Sequence, residues 1–254
     1  MPDYRTGWIK DYVDGRDFRY SAVRKIATDV IPGTLDLSPF MPAVEDQGHF
    51  SSCVGNAVTS ALEALQKKHG SLSEKDLSRM FVYWFARFMD GLQKEDGGCM
   101  IRSAIKSVAA LGCCLERNWK YTQPHLFQKP GLLARCLAKK RLLKDYYRVD
   151  YHGPDDLRAA MAEGFPIVFG TMIFESFARV RGDGIVPMPD VSKEIRLGGH
   201  ARVMCGYDPT GWRVQNSWGK DWGLLGYCHL PLDYFETVSD FGWDFWVLRQ
   251  EAQP

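Results

Sequence analysis

The apolar residues of this chain change their spacing halfway along, and that change limits the folds open to it. Val54, Ala57, Val58, Ala61, Leu62 and Leu65 recur at intervals of three and four, one apolar face of a helix. Ser51 or Ser52 is placed to cap its first turn, and Gly70 lies beyond its end. A second helix is expected from about Ser73, with Asp76 as a weak form of the capping box. Its stripe is Leu77, Met80, Phe81, Trp84, Phe85 and Phe88. A third, over 100–111, carries Ile101, Ala104, Ile105 and Val108 and stops at Gly112. A short helix over 155–163 ends at Gly164. From there β-branched and aromatic runs at 166–170, 201–207, 212–216, 226–230 and 244–248 are divided by Gly and Asp, the grammar of strands and turns. Helices first and strands second predict an α+β fold of two lobes, and the cleft between two lobes is a common place for a site.

The 254 residues carry 32 Lys plus Arg against 31 Asp plus Glu. That balance gives no electrostatic reason to expect nucleic acid or an anionic membrane as partner. The basic stretch Lys139, Lys140, Arg141 and Lys144 reads as a solvated helix face. No run approaches the ~20 apolar residues of a membrane span, and the polar N-terminus lacks the apolar core of a secretory signal. With Met1 in place, a cytoplasmic protein is expected. The seven cysteines are an odd number without paired CxxC units, so neither complete disulfide pairing nor a structural zinc site is expected. Cys99, Cys113, Cys114, Cys136, Cys205 and Cys228 read as packing residues. Residues 1–43 form a leader whose prolines favour extended chain laid over a surface.

Three residues carry the candidate chemistry. Cys53 sits where a loop meets the start of the first helix, and the partial positive charge there favours the nucleophilic thiolate. His200 follows two glycines at the mouth of a strand and can share a proton with that thiol. Asn216 lies on the next strand, where a hairpin returns it beside His200 to accept the ring N–H. Acyl transfer also needs donors aimed at the developing oxyanion, and Gln47 with the Cys53 backbone N–H forms the natural pair.

The segments QGHFSSC, GGHARVMCGY and VQNSWGKDWGLLGY resemble the three active-site blocks of the papain-like cysteine peptidases, NSWGxxWGxxGY being the most specific. The resemblance covers roughly residues 40 to 250. Cys53 and His200 are 147 residues apart, within the about 130–150 usual for these enzymes. Asn216 is 163 residues from Cys53, which a modest loop insertion explains. The resemblance implies a helical left lobe (44–135) with the nucleophile and an antiparallel, β-barrel-like right lobe (136–254) with His200 and Asn216. Gln47 resembles the oxyanion-hole glutamine and Trp218 the tryptophan that shields the His–Asn hydrogen bond. Gly97 and Gly98 resemble the glycines that bond an extended substrate. Gly198, Gly199, Ala201 and Trp222 resemble other substrate-binding positions. The family's chemistry needs neither metal nor cofactor, and its partner is a peptide or protein substrate.

The chain departs from the family pattern beside the nucleophile. Phe50 stands where a disulfide-forming cysteine is usual, and Val54 replaces an aromatic residue. Losing that bridge fits a disulfide-poor bacterial or intracellular branch, and the short leader makes the chain similar in plan to members such as xylellain. Residues 1–38 are then expected to regulate access to Cys53. Two other outcomes stay open: an exopeptidase or other acyl transferase on the same residues, or a binding protein that keeps the fold without turnover.

Overall fold

The computed structural model describes residues 5–70 and 76–249. Its helices are α1 (Cys53–Lys68), α2 (Arg79–Met89), α3 (Ile101–Leu111), α4 (Gln123–Phe127), α5 (Leu132–Ala138), α6 (Pro154–Ala162), α7 (Glu175–Ala178) and α8 (Tyr234–Thr237). Its strands are β1 (Trp8–Ile9), β2 (Leu35–Asp36), β3 (Cys99–Met100), β4 (Asp145–Arg148), β5 (Ile167–Phe174), β6 (Arg196–Asp208), β7 (Gly211–Gln215), β8 (Tyr227–Pro231) and β9 (Trp243–Arg249). The α+β fold of two lobes expected from the sequence is the fold observed.

Helix α1 is the spine between the lobes. The spacing that predicts it describes one apolar face, yet twelve of its sixteen residues are buried. It has neighbours on two sides: α2 and α3 on one, β5 and β6 on the other. Thr59 Oγ1 is satisfied within the helix, donating to the Gly55 carbonyl at 3.0 Å, whereas Asn56 Oδ1 is buried without a hydrogen-bond partner among the described residues. Gly55 lets α2 approach, since a Cβ there would lie 2.8 Å from the Arg79 carbonyl oxygen. Truncating a core residue such as Leu62 in this setting costs about 2–5 kcal/mol.

Two helix starts differ from expectation. Ser52 is the N-cap of α1 but makes no side-chain capping bond; its hydroxyl pairs with Tyr121 instead. The expected start of the second helix at Ser73 lies outside the described residues. Helix α2 begins at Arg79, with Ser78 Oγ accepting from the Phe81 N–H at 3.2 Å. Leu77, expected in its stripe, is instead bridged to Leu115. Burial of Leu77 and Ser78 outweighed local helix signals.

The strands of the second half join in the order β4-β9-β5-β6-β7-β8, with β2 added beside β6. Every pairing within this sheet is antiparallel. Strand β6 spans thirteen residues and begins five residues earlier than its apolar run; the glycines 198 and 199 hid that extension. It carries His200 opposite Thr171 of β5. The seven cysteines are free thiols, all buried except Cys136. Among the described residues no helix is long and apolar enough to cross a membrane, and no cluster of His, Cys, Asp and Glu is placed to hold a metal.

Candidate active site

The N-terminus of α1 meets the middle of β6, and this junction places Cys53 against the strand at the residue after His200. The thiol Sγ lies 3.4 Å from the Ala201 N–H, the residue next to His200. His200 Nε2 is 2.7 Å from Asn216 Oδ1. That oxygen also accepts from the Ser217 N–H at 2.9 Å, which identifies it as the amide oxygen and so makes Nε2 the protonated ring nitrogen. Nδ1 is then the nitrogen with a free lone pair, buried without a hydrogen-bond partner among the described residues. Trp218 stacks on the imidazole, centroids 4.6 Å apart. Trp222 stands behind it, edge-on to Trp218 at 5.5 Å and almost fully buried. Phe177 of α7 completes the aromatic wall against both tryptophans.

Gln47 is held by its own network. Its Oε1 accepts from Ser217 Oγ at 2.7 Å, which fixes which end of the amide carries the N–H groups. Ser217 belongs to the NSWG block, yet its orienting role needs the fold to bring it to Gln47. The Gln47 Nε2 donates to the Phe50 carbonyl at 2.8 Å and to the Arg5 carbonyl at 3.1 Å.

Arg5 belongs to the leader, and residues 5–9 lie across the whole site. Gly7 donates its N–H to the Gly199 carbonyl and accepts from the Cys99 N–H, both at 2.9 Å. Strand β1 runs parallel to β3, Trp8 opposite Cys99. The glycines named from sequence are where this chain rests. A Cβ on Gly98, whose φ is +91°, would lie 2.0 Å from the Gly7 oxygen. One on Gly199 would lie 2.2 Å from the Trp8 carbonyl oxygen, and one on Gly198 would strike Thr6. For Gly97 the same test meets open space, so the tight approach belongs to Gly98 alone of that pair. Gly7 itself sits so close to Ser51 that a Cβ would fall 1.9 Å from its carbonyl oxygen. The Trp8 indole lies flat on Gly170 and donates Nε1–H to Asp244 at 3.1 Å.

Covered in this way, Cys53, His200 and Gln47 are each 0% exposed. Burial pushes the Cys53 thiol up to about 11, against the N–H groups of Ala201, Val54 and Gly7, which favour the anion. Burial also pushes His200 down to about 3, helped by the charge of Arg202 and opposed by Asn216. Both groups are therefore neutral near pH 7 with the leader in place.

Beyond the cleft the leader is clasped by charge. Asp11 accepts from Trp246 Nε1 at 2.8 Å and from the Arg102 N–H at 3.2 Å. Arg148 reaches Asp11 at 3.3 Å and Asp244 at 2.7 Å. Arg102 of α3 forks onto Asp17 at 2.9 and 2.6 Å. Sequence reasoning missed this cluster, because its members are scattered over more than 230 residues of chain.

A family model described as papain family cysteine protease matches residues 32–235. The chain is 32% identical to the uncharacterized peptidase C1-like protein L477 of Acanthamoeba polyphaga mimivirus, over 98% of this chain and 88% of that one. It is 33% identical to cathepsin Q of Rattus norvegicus over 81% of this chain and 60% of the relative. Among solved structures it resembles xylellain, a cysteine protease from Xylella fastidiosa. The TM-score is 0.86 and the identity 31%, with 98% of this chain and 97% of that one covered.

Proposed function

From the premise that the chain belongs to the papain family of cysteine proteases, we propose that it hydrolyses peptide bonds through Cys53, His200 and Asn216. The observation that carries this reading is the 2.7 Å bond from His200 Nε2 to Asn216 Oδ1, which leaves the bare Nδ1 to take the thiol proton. The Cys53 thiolate attacks the substrate carbonyl carbon. Gln47 and the Cys53 N–H hold the oxyanion, and His200 hands its proton to the departing amine. The resulting thioester is cleaved by water that loses a proton to His200, and the acid departs with thiolate and imidazolium restored. Residues 44–135 form the lobe of the nucleophile and 136–254 the lobe of the base. Residues 1–38 are an autoinhibitory segment, since Arg5 to Trp8 occupy the oxyanion donor and the substrate glycines.

A second reading, an exopeptidase, is favoured by the same leader: a segment that withdrew from only part of the cleft would leave room for the end of a chain. Hydrolysis of a mixed fluorogenic peptide library by wild type and Cys53→Ala, each with and without residues 1–38, tests both. Turnover that disappears in Cys53→Ala and rises on leader removal is expected, and the cleavage pattern separates internal from terminal cutting. Silence of the leader-free protein under reducing conditions would sink the protease reading.

A further inference from the structure

Arg202 is buried beside the active site with no carboxylate among the described residues to balance it. It lies on β6 two residues past His200 and so on the same face of the strand, opposite Phe169 of β5, and it is 1% exposed. One guanidinium nitrogen donates to Thr171. The plane packs between two rings, 4.7 Å from the centroid of Phe169 and 4.6 Å from that of Phe177. Nε and Nη1 have no hydrogen-bond partner among the described residues, and no described carboxylate stands within ion-pair distance. The titratable groups that feel it are Cys53, His200, Cys228 of β8 and Tyr234 of α8. Glu194 acts on Tyr234 from outside but is already bonded to the Ser176 and Asp190 amides.

A buried cation without a counter-charge is costly to keep. Two other arginines lie at comparable depth. Arg102 has Asp17 as its partner. Arg87, without a carboxylate among the described residues, donates to the Glu95 and Leu126 carbonyls, whereas the acceptor of Arg202 is the Thr171 hydroxyl. Cys228 and Tyr234 stay protonated at neutral pH, their acidities weakened by burial to about 12. Of the groups around Arg202, only Cys53 becomes an anion in the chemistry of an acyl transfer.

We propose that Arg202 is a positioning residue for the reaction, a fixed positive charge behind the Cys53–His200 pair that stabilises the Cys53 thiolate. Its ring partner Phe177 is also the wall of Trp218, so the charge is held at a set depth behind the imidazole. The same charge weakens the imidazolium, and both titrations are drawn to lower pH. This inference rests on the peptidase reading of Cys53.

The test alkylates the full chain with iodoacetamide across pH 5 to 10 and follows Cys53 by mass spectrometry. Labelling through transient opening of the leader reads the thiol in the uncovered cleft. Arg202→Gln keeps a hydrogen bond to Thr171 and removes the charge. It is expected to move the half-maximal pH of Cys53 labelling upward by about one unit, with both limbs of any peptide-turnover profile moving the same way. Arg202→Lys is expected to keep the wild-type profile at unchanged thermal stability. A folded Arg202→Gln protein with the wild-type midpoint would overturn the proposal, and if that variant fails to fold, Arg202→Met and a shifted profile in Arg202→Lys decide it the same way. A wild-type midpoint no lower than the ~8.5 of an ordinary thiol would sink the peptidase reading itself.

Discussion

The leader is held at two places by opposite means. Over the cleft, residues 5–9 bind mainly through the backbone: the carbonyl of Arg5 and both peptide groups of Gly7. A few residues on, Asp11 and Asp17 bind through carboxylates locked onto Arg102, Arg148 and Trp246. Backbone contacts read only that a chain is extended, so the cleft that takes this segment can take others. Side-chain charge pairs read identity, so the clasp selects this segment. The difference separates what the site does to peptides in general from how it treats its own N-terminus.

Breaking the clasp has the larger expected effect. Arg148→Ala leaves Asp11 and Asp244 buried without that cation, a loss of about 3–5 kcal/mol. Urea unfolding measures it, and a change below about 1 kcal/mol would show that the clasp is not a fastener. Breaking the cleft contact alone is done with Gly7→Ala, whose Cβ cannot fit against the Ser51 carbonyl. Cys53 labelling is expected to rise roughly tenfold or more, about 1.4 kcal/mol, with little change in the urea midpoint. Equal labelling of the two proteins would mean that residues 5–9 do not cover the thiol.

The two ends also answer to pH with opposite signs. His200 is pushed below its ordinary 6.5 when covered. Docking stability from it is therefore full above 6.5 and is lost as pH falls toward 3. Burial and the neighbouring Asp244 raise Asp11, so its contribution is full in acid and is lost as pH rises through the raised value. Asp11→Asn removes the second effect. Hydrogen exchange at Gly7, corrected for intrinsic rates, should then lose protection from pH 7 to pH 5 more steeply than in wild type. Equal slopes would refute the opposition. The smallest effect is that of Trp8→Phe, which gives up the bond to Asp244 for about 1 kcal/mol at unchanged backbone contacts, read from the same exchange experiment.

Much of the site was legible because its residues sit in contiguous blocks. Cys53 at the end of QGHFSSC, His200 in GGHARV and Asn216 in NSWG each carry local signals, and the fold brings these three together. Gly97, Gly98, Gly198 and Gly199 were legible as resembling substrate-binding positions; that Gly98, Gly198 and Gly199 are where residues 6–8 approach closely came from the fold. The start of α2 was not, because Ser73 and Asp76 imitate a cap while the packing of Leu77 against Leu115 delays the helix to Arg79. Arg202 carried no signal of its own in the sequence; only burial between Phe169 and Phe177 gives it a meaning.

The sequence by itself determined the order of helical and stranded halves and singled out the residues proposed as nucleophile, base and orienting amide. Periodicity and short motifs are properties of neighbours along the chain. Tertiary structure alone decided that residues 5–9 cover the thiol and that Asp11, Arg148 and Asp244 fasten them. It also decided that Arg202 stands behind the site without a carboxylate partner among the described residues. These depend on which distant groups share a desolvated space, and desolvation, which sets the cost of a charge and the acidity of a thiol, is a property of the folded volume and not of the chain.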